Sequence, residues 1–128
     1  MDKQAMKQHG AFSWNELMTN DVAGAKAFYS DLFGWTMQDD HSGEIPYTML
    51  KTGNEEAGGM MAIPADAKGA PPAWGAYVTV DNVDKQVDKV ESLGGTIIMP
   101  PRDIPNVGRF AVISDPQGAM LTLITYSC

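Results

Sequence analysis

Alternate residues of the segment from Phe12 to Thr19 put Phe12, Trp14, Glu16 and Met18 on one face of a predicted strand. The period then changes. Val22, Ala25, Phe28, Tyr29 and Leu32 recur at helical spacing behind Asn20 or Asp21, either of which can cap a helix through about Phe33, and Gly34 ends it. Short strands are predicted near Trp35 to Gln38, Tyr47 to Lys51 and Gly58 to Ile63, separated by the polar stretch 39–44 and a turn at Gly53-Asn54. After a segment rich in Ala, Pro, Gly and Lys, the same order returns: a strand from Trp74 to Val80, then a helix behind Asp81 or Asn82. Val83, Val87, Val90 and Leu93 point inward on that helix, Gly94-Gly95 stops it, and a strand from Thr96 to Met99 follows. A hairpin closes the chain. Its strands run from Arg109 to Ser114 and Ala119 to Thr125, and Asp115-Pro116-Gln117-Gly118 carries the residues a type I turn prefers.

The two halves are one unit written twice. The run from Trp14 to Val22 lies over Gly75 to Val83, a displacement of 61. At that displacement Leu32-Phe33-Gly34 falls on Leu93-Gly94-Gly95, and Gly59 to Ile63 falls on Met120 to Ile124. Each copy reads as βαβββ, so the expected fold is α+β. Two tandem modules, about 11–64 and 74–126, are joined by a linker at about 64–73 within a single domain, 1–128. One helix covers one face of a four-stranded sheet, so the bare faces of the two modules are expected to curl around a shared cleft. The cleft-facing set is Trp14, Glu16 and Met18 with Gly75, Tyr77 and Thr79. The helix-facing set is Ser13, Asn15, Leu17 and Thr19 with Ala76, Val78 and Val80.

Composition narrows the setting. The chain of 128 residues can bury a core without staples, and its one cysteine, Cys128, is expected to be a frayed-end thiol in a reducing, cytoplasmic home. No signal-peptide-like or membrane-spanning run is legible, which points to a soluble protein. A net charge of −7 with scattered basic residues argues against nucleic acid as a partner. Exposed strand edges and apolar surface point to a homodimer.

Trp14-Asn15-Glu16-Leu17 leading to Ala27-Phe28-Tyr29 and Leu32-Phe33-Gly34-Trp35, with Gly108-Arg109-Phe110-Ala111-Val112 and Asp115-Pro116-Gln117-Gly118-Ala119 at the end, resembles the glyoxalase / bleomycin-resistance / dioxygenase superfamily, the vicinal oxygen chelate proteins. It is similar in particular to the branch called glyoxalase-like or hydroxylase proteins, over about residues 11–126. The resemblance implies metal ligands, His or Glu, on the first and last strand of each module. Those positions fall at Trp14, Gly75, Thr122 and Met61, or Gly59 if that strand shifts by two. None offers imidazole, carboxylate or thiolate, so no metal and no cofactor is expected. His9 and His41 lie before the first strand and in a polar loop, and read as plain solvated histidines.

The expected site is therefore what fills the emptied cleft. Glu16 and its counterpart Tyr77 are the candidate catalytic pair. Trp14, Met18, Met61, Gly75, Thr79, Met120 and Thr122 are the candidate ligand-binding wall. A carboxylate in such surroundings is expected to be desolvated with a raised pKa, suited to a general base or to anchoring an amine or hydroxyl. Trp35 and Trp74 read as packing residues, Gly58-Gly59 as a bulge or close backbone approach, and Arg109, with Arg102 and Asp103 upstream, as a strand-edge arginine rather than an anion clamp. Two functions follow. One is a metal-independent protein binding an amphipathic or aromatic metabolite or drug in the cleft between the modules. The other is a metal-free lyase or isomerase using Glu16 as general base on a carbonyl or hydroxyl substrate.

Overall fold

The computed structural model describes residues 8–41, 45–65 and 69–127. The expectations for Cys128, for the N-terminal residues 1–7 and for the linker at 66–68 fall outside them.

The first module runs β1 (Phe12–Thr19), α1 (Val22–Phe33), β2 (Thr36–Asp40), β3 (Tyr47–Thr52), β4 (Glu55–Ala62). The second runs β5 (Ala73–Thr79), α2 (Val83–Val90), β6 (Thr96–Ile104), β7 (Gly108–Ser114), β8 (Met120–Tyr126). The fold is α+β, two βαβββ modules in tandem, each with four strands in the order 2-3-4-1 counted within the module. The first strand of each is parallel to the last, and the remaining pairs are antiparallel.

Two compact units emerge, residues 14–75, and 76–127 together with 8–13. The start of β1 thus belongs to the second unit, and its bonds explain why. Thr79 N–H donates to Ala11 C=O at 2.8 Å, Gly10 N–H donates to Thr79 C=O at 2.7 Å, and the Tyr126 hydroxyl donates to the fully buried Ser13 Oγ at 2.9 Å.

Each helix is started by a side-chain cap. Asp21 Oδ1 accepts from Gly24 N–H at 2.9 Å and Asn82 Oδ1 from Lys85 N–H at 3.1 Å, contacts that typically stabilise a helix by about 1 kcal/mol. Gly34 and Gly94 stop them in the left-handed region, at φ 74° and 92°. Under α1 lies a core of Leu17, Leu50 and Met60, with Val22, Ala25, Tyr29, Trp35 and Met37 against it. Under α2 lies Val80, Val83, Val87, Ala111 and Leu123.

The helical stripes bury less than their spacing predicts. Val22, Ala25 and Tyr29 fill the contact with the sheet, so Phe28 on the flank and Leu32 in the last turn remain exposed, and no α1 residue is fully buried. Leu93 is exposed too, because α2 tightens into a 3₁₀ turn over Glu91–Leu93 whose three-residue period carries it off the inward stripe. β6 extends past Met99 through Pro100 and Pro101. It is the last strand in its module's order, and register shifts beside Met99 accommodate residues that cannot donate to a ladder. The displacement of 61 also fails beyond the helices. Glu16 pairs with Gly59, whereas Tyr77 pairs with Thr122, so the last strands are displaced by 63, and Gly59, not Met61, is the counterpart of Thr122. Gly34 correspondingly matches Gly94, not Gly95.

Candidate functional site

In the first module Leu17 and its register partner Met60 point into the core beneath α1. Side chains alternate along strands, so Glu16 and its partner Gly59 belong to the opposite face. Trp14 and Met18 of β1, Met61 of β4, and Tyr47 and Met49 of β3 share that face. The register of β1 therefore keeps Glu16 away from the helix, and Asn15 lies exposed.

Glu16 is 7% exposed, a burial a carboxylate tolerates only with partners. One is Tyr47, whose hydroxyl donates to Glu16 Oε1 at 2.7 Å. The same oxygen of Tyr47 accepts from the Trp14 indole N–H at 2.9 Å. Gly59 makes room, because a Cβ there would run into the Tyr47 hydroxyl and ring. Gly58 is equally constrained, its Cβ position lying 2.5 Å from the Asn15 backbone oxygen, beside a register shift between Leu50 and Lys51. These glycines thus serve close approach within the strand pair.

Sequence reasoning missed Tyr47. The available signal was Gly59, a glycine inside a strand, which implies that something approaches closely. What approaches is set by the β3–β4 register, where Met49 rather than Tyr47 is the Cα partner of Gly59.

Of the other candidates, Met18 and Met61 pair and are half-buried, and Gly75 lies exposed on β5. In the second module Tyr77 and Thr122 are register partners, both half-buried, and Thr79 is buried opposite Ile124. Met120 sits exposed at the start of β8.

The remaining polar features have structural partners. Arg109 grips Asp84 with two bonds, Nε to Oδ2 at 2.8 Å and Nη2 to Oδ1 at 3.1 Å, and reaches Asp103 with Nη1 at 3.0 Å. That guanidinium holds the Asp84 carboxyl below its ordinary range, and Arg109 is matched by carboxylates instead of standing as a solvated edge arginine. Lys26 Nζ at 2.6 Å and the Thr48 hydroxyl at 2.8 Å likewise lower Asp39. Burial pushes the Tyr126 phenol up, partly offset by its bond to Ser13. His9 is not merely solvated: its Nδ1 accepts from Asp81 N–H at 3.0 Å. His41 lines a small cavity of about 150 Å³ with Lys26, Asp39 and Tyr47. Trp35 and Trp74 pack in an aromatic cluster around Tyr29, whose hydroxyl accepts from the Trp74 indole at 3.1 Å.

The positions the resemblance assigns to metal ligands do not fit a metal. They hold Trp14, Gly75, Thr122 and, by the observed register, Gly59, none with an imidazole, carboxylate or thiolate donor. Among the described residues no group of three or more His, Cys, Asp or Glu is placed to hold one elsewhere. Among them, too, no helix is long and apolar enough to cross a membrane.

Comparison with known proteins agrees with the topology. The Glyoxalase/Bleomycin resistance protein/Dioxygenase superfamily profile matches residues 11–123. The chain is 39% identical over 126 residues to the glyoxylase-named protein CFP32 of Mycobacterium tuberculosis, covering 96% of this chain and 48% of that one. It is 33% identical over 125 residues to the anthracycline biosynthesis protein DnrV of Streptomyces peucetius, covering 86% and 45%. The chain thus spans about half the length of these relatives. In fold it resembles methylmalonyl-CoA epimerase from Mycobacterium tuberculosis, with a TM-score of 0.66 at 17% identity, covering 100% of this chain and 94% of that one. It also resembles the Mn(II)-bound glyoxalase from Novosphingobium aromaticivorans, at 0.60 and 15%, covering 89% and 38%. With a family profile spanning nearly all of both modules, the chain belongs to the glyoxalase/bleomycin resistance protein/dioxygenase superfamily.

Proposed function

We propose that this chain is a metal-independent small-molecule binding protein of its superfamily, holding an amphipathic or aromatic guest with Glu16 as the polar anchor. The observation that carries the reading is the buried, hydrogen-bonded Glu16 set among Trp14, Met18, Met49 and Met61 on the face opposite α1. A mostly apolar wall with one placed polar group is the ordinary composition of a small-molecule site. Similarity to a protein named for anthracycline biosynthesis supports an aromatic guest. Fluorescence titration with an anthracycline tests it. Binding should weaken about tenfold or more in Glu16→Gln, the loss expected for a charge-assisted hydrogen bond. Equal affinity in wild type and variant would remove Glu16 from the site.

The same carboxylate supports a second reading, a lyase or isomerase in which Glu16 is the general base that abstracts a proton from a carbonyl or hydroxyl substrate. Similarity to a glyoxylase-named protein favours it. If Glu16→Gln keeps affinity and loses turnover, Glu16 is a base; if affinity itself falls, it is an anchor. Metal independence and a homodimer belong to the same proposal. The dimer is supported by the exposed Phe28, Leu32 and Phe33 of α1. Elemental analysis finding one tightly held transition metal per chain, or sedimentation finding only monomer at micromolar concentration, would overturn each in turn.

A further inference from the structure

The Trp14–Tyr47–Glu16 chain has a direction. An indole N–H only donates, so the Trp14 bond uses the Tyr47 oxygen as acceptor and leaves the single hydroxyl proton of Tyr47 to point at Glu16 Oε1. Glu16 is consequently the acceptor of the Tyr47 hydroxyl in a one-way relay. A donor aimed at a carboxylate favours its charged form, and the low local dielectric around a buried group strengthens that bond. The rigid tryptophan and the absent Cβ at Gly59 together hold the hydroxyl where it is.

We propose that Tyr47 is the positioning residue of this site: locked by Trp14 and accommodated by Gly59, it commits Glu16 to accepting hydrogen bonds. The guests selected are then those presenting a donor, an ammonium or a hydroxyl. The proposal rests on Glu16 being the anchor of the binding reading, and it assigns a role to a residue that neither the repeat nor the family resemblance singles out. It also separates the two βαβββ copies chemically. In the second module the counterpart of Gly59 is Thr122, whose side chain occupies the position that Gly59 leaves open to Tyr47. Among the described residues, the other ionisable side chains on the same face of the first module are Asp40 of β2, Lys51 of β3 and Glu56 of β4, placed there by their register with Tyr47, Thr36 and Lys51.

The test needs no ligand. The side-chain carboxyl carbon of ¹³C-labelled glutamate is followed by NMR through an acid-to-neutral titration, with Glu16 assigned by its absence in Glu16→Gln. In Tyr47→Phe the Glu16 midpoint should rise by about one unit or more, because a donated hydrogen bond to the charged form has been removed. Gly59→Ala should raise it in the same sense without altering any member of the relay, since the new methyl displaces the Tyr47 hydroxyl. Trp14→Phe should raise it less, because the hydroxyl remains but its proton is no longer directed. A Tyr47→Phe midpoint unchanged to within about 0.3 unit, or lowered, overturns the proposal. Tyr47→Phe decides alone if Gly59→Ala does not fold. This titration can fail while Glu16-dependent binding stands, and binding can prove independent of Glu16 while the titration behaves as expected.

Discussion

Leu50→Ala probes the core that holds the site strands in register. Leu50 is 1% exposed and packs with Leu17 and Met60 beneath α1. Truncating its isobutyl side chain to a methyl removes three carbons and loses about 2.4 kcal/mol of transfer free energy at roughly 0.8 kcal/mol per methylene-sized group. The cavity left behind adds to this, because β3 is paired on both sides and cannot collapse inward, giving about 3–4 kcal/mol in all. Domains of this size are stable by about 5–15 kcal/mol, so the variant should still fold. All three tryptophans, Trp14, Trp35 and Trp74, lie in the compact unit 14–75, where Trp35 and Trp74 pack on Tyr29 of α1, so their fluorescence in urea reports this unit. With a slope of about 1–3 kcal/mol per molar, the midpoint should fall by roughly 1–4 M at unchanged slope. Leu32→Ala is the matched control. Leu32 is 56% exposed, so the same chemical deletion should cost about 1 kcal/mol or less. A loss under about 1 kcal/mol at Leu50 with a larger one at Leu32 would refute the burial pattern and restore the stripe that spacing alone suggests.

Three further outcomes follow from the second module. Tyr126 has its folded-state pKa raised by burial, so the stability it contributes is complete below its ordinary value near 10.0 and is lost as pH rises through the higher folded value. Tyr126→Phe should flatten that alkaline loss and cost about 1–2 kcal/mol at neutral pH by stranding Ser13, and an unaltered alkaline limb in thermal melts would refute it. Asp84 has the opposite sign: its contribution is present above its ordinary value of 3.8 and is lost as pH falls through the depressed one. Arg109→Gln should shrink this acid-side loss, and an identical acid limb in both proteins would show that the paired guanidinium is not its cause. Gly108→Ala should destabilise far more than Gly118→Ala in urea. A Cβ at Gly108 meets backbone, with Tyr126 Cα at 2.9 Å, whereas Gly118 has open space and only its φ of 94° against it, a penalty of about 1–2 kcal/mol. Equal losses would contradict the hairpin geometry.

Local chemistry was enough to read the order of elements. Caps at Asp21 and Asn82, stops at Gly34 and Gly94, the turn at Asp115 to Gly118 and the change from two-residue to helical periodicity all act over a few bonds, so each is legible in a short stretch of chain. The alternation that turned Glu16 away from α1 is of the same kind. Tertiary structure decided the rest. Whether Phe28, Leu32 and Leu93 are covered depends on how much sheet lies beneath each helix, which spacing cannot state. The displacement of 63 between the last strands depends on how many residues the intervening turns and bulges consume, and a pattern of alternating residues is blind to a shift of two. Tyr47 is the clearest case. It lies 31 residues from Glu16 along the chain, and only the pairing of β1 with β4 and of β4 with β3 brings its hydroxyl over Gly59 to the carboxylate. Periodicity assigns a side chain to a face; its partner on that face is set by long-range register, which the sequence encodes only through the packing of the whole module.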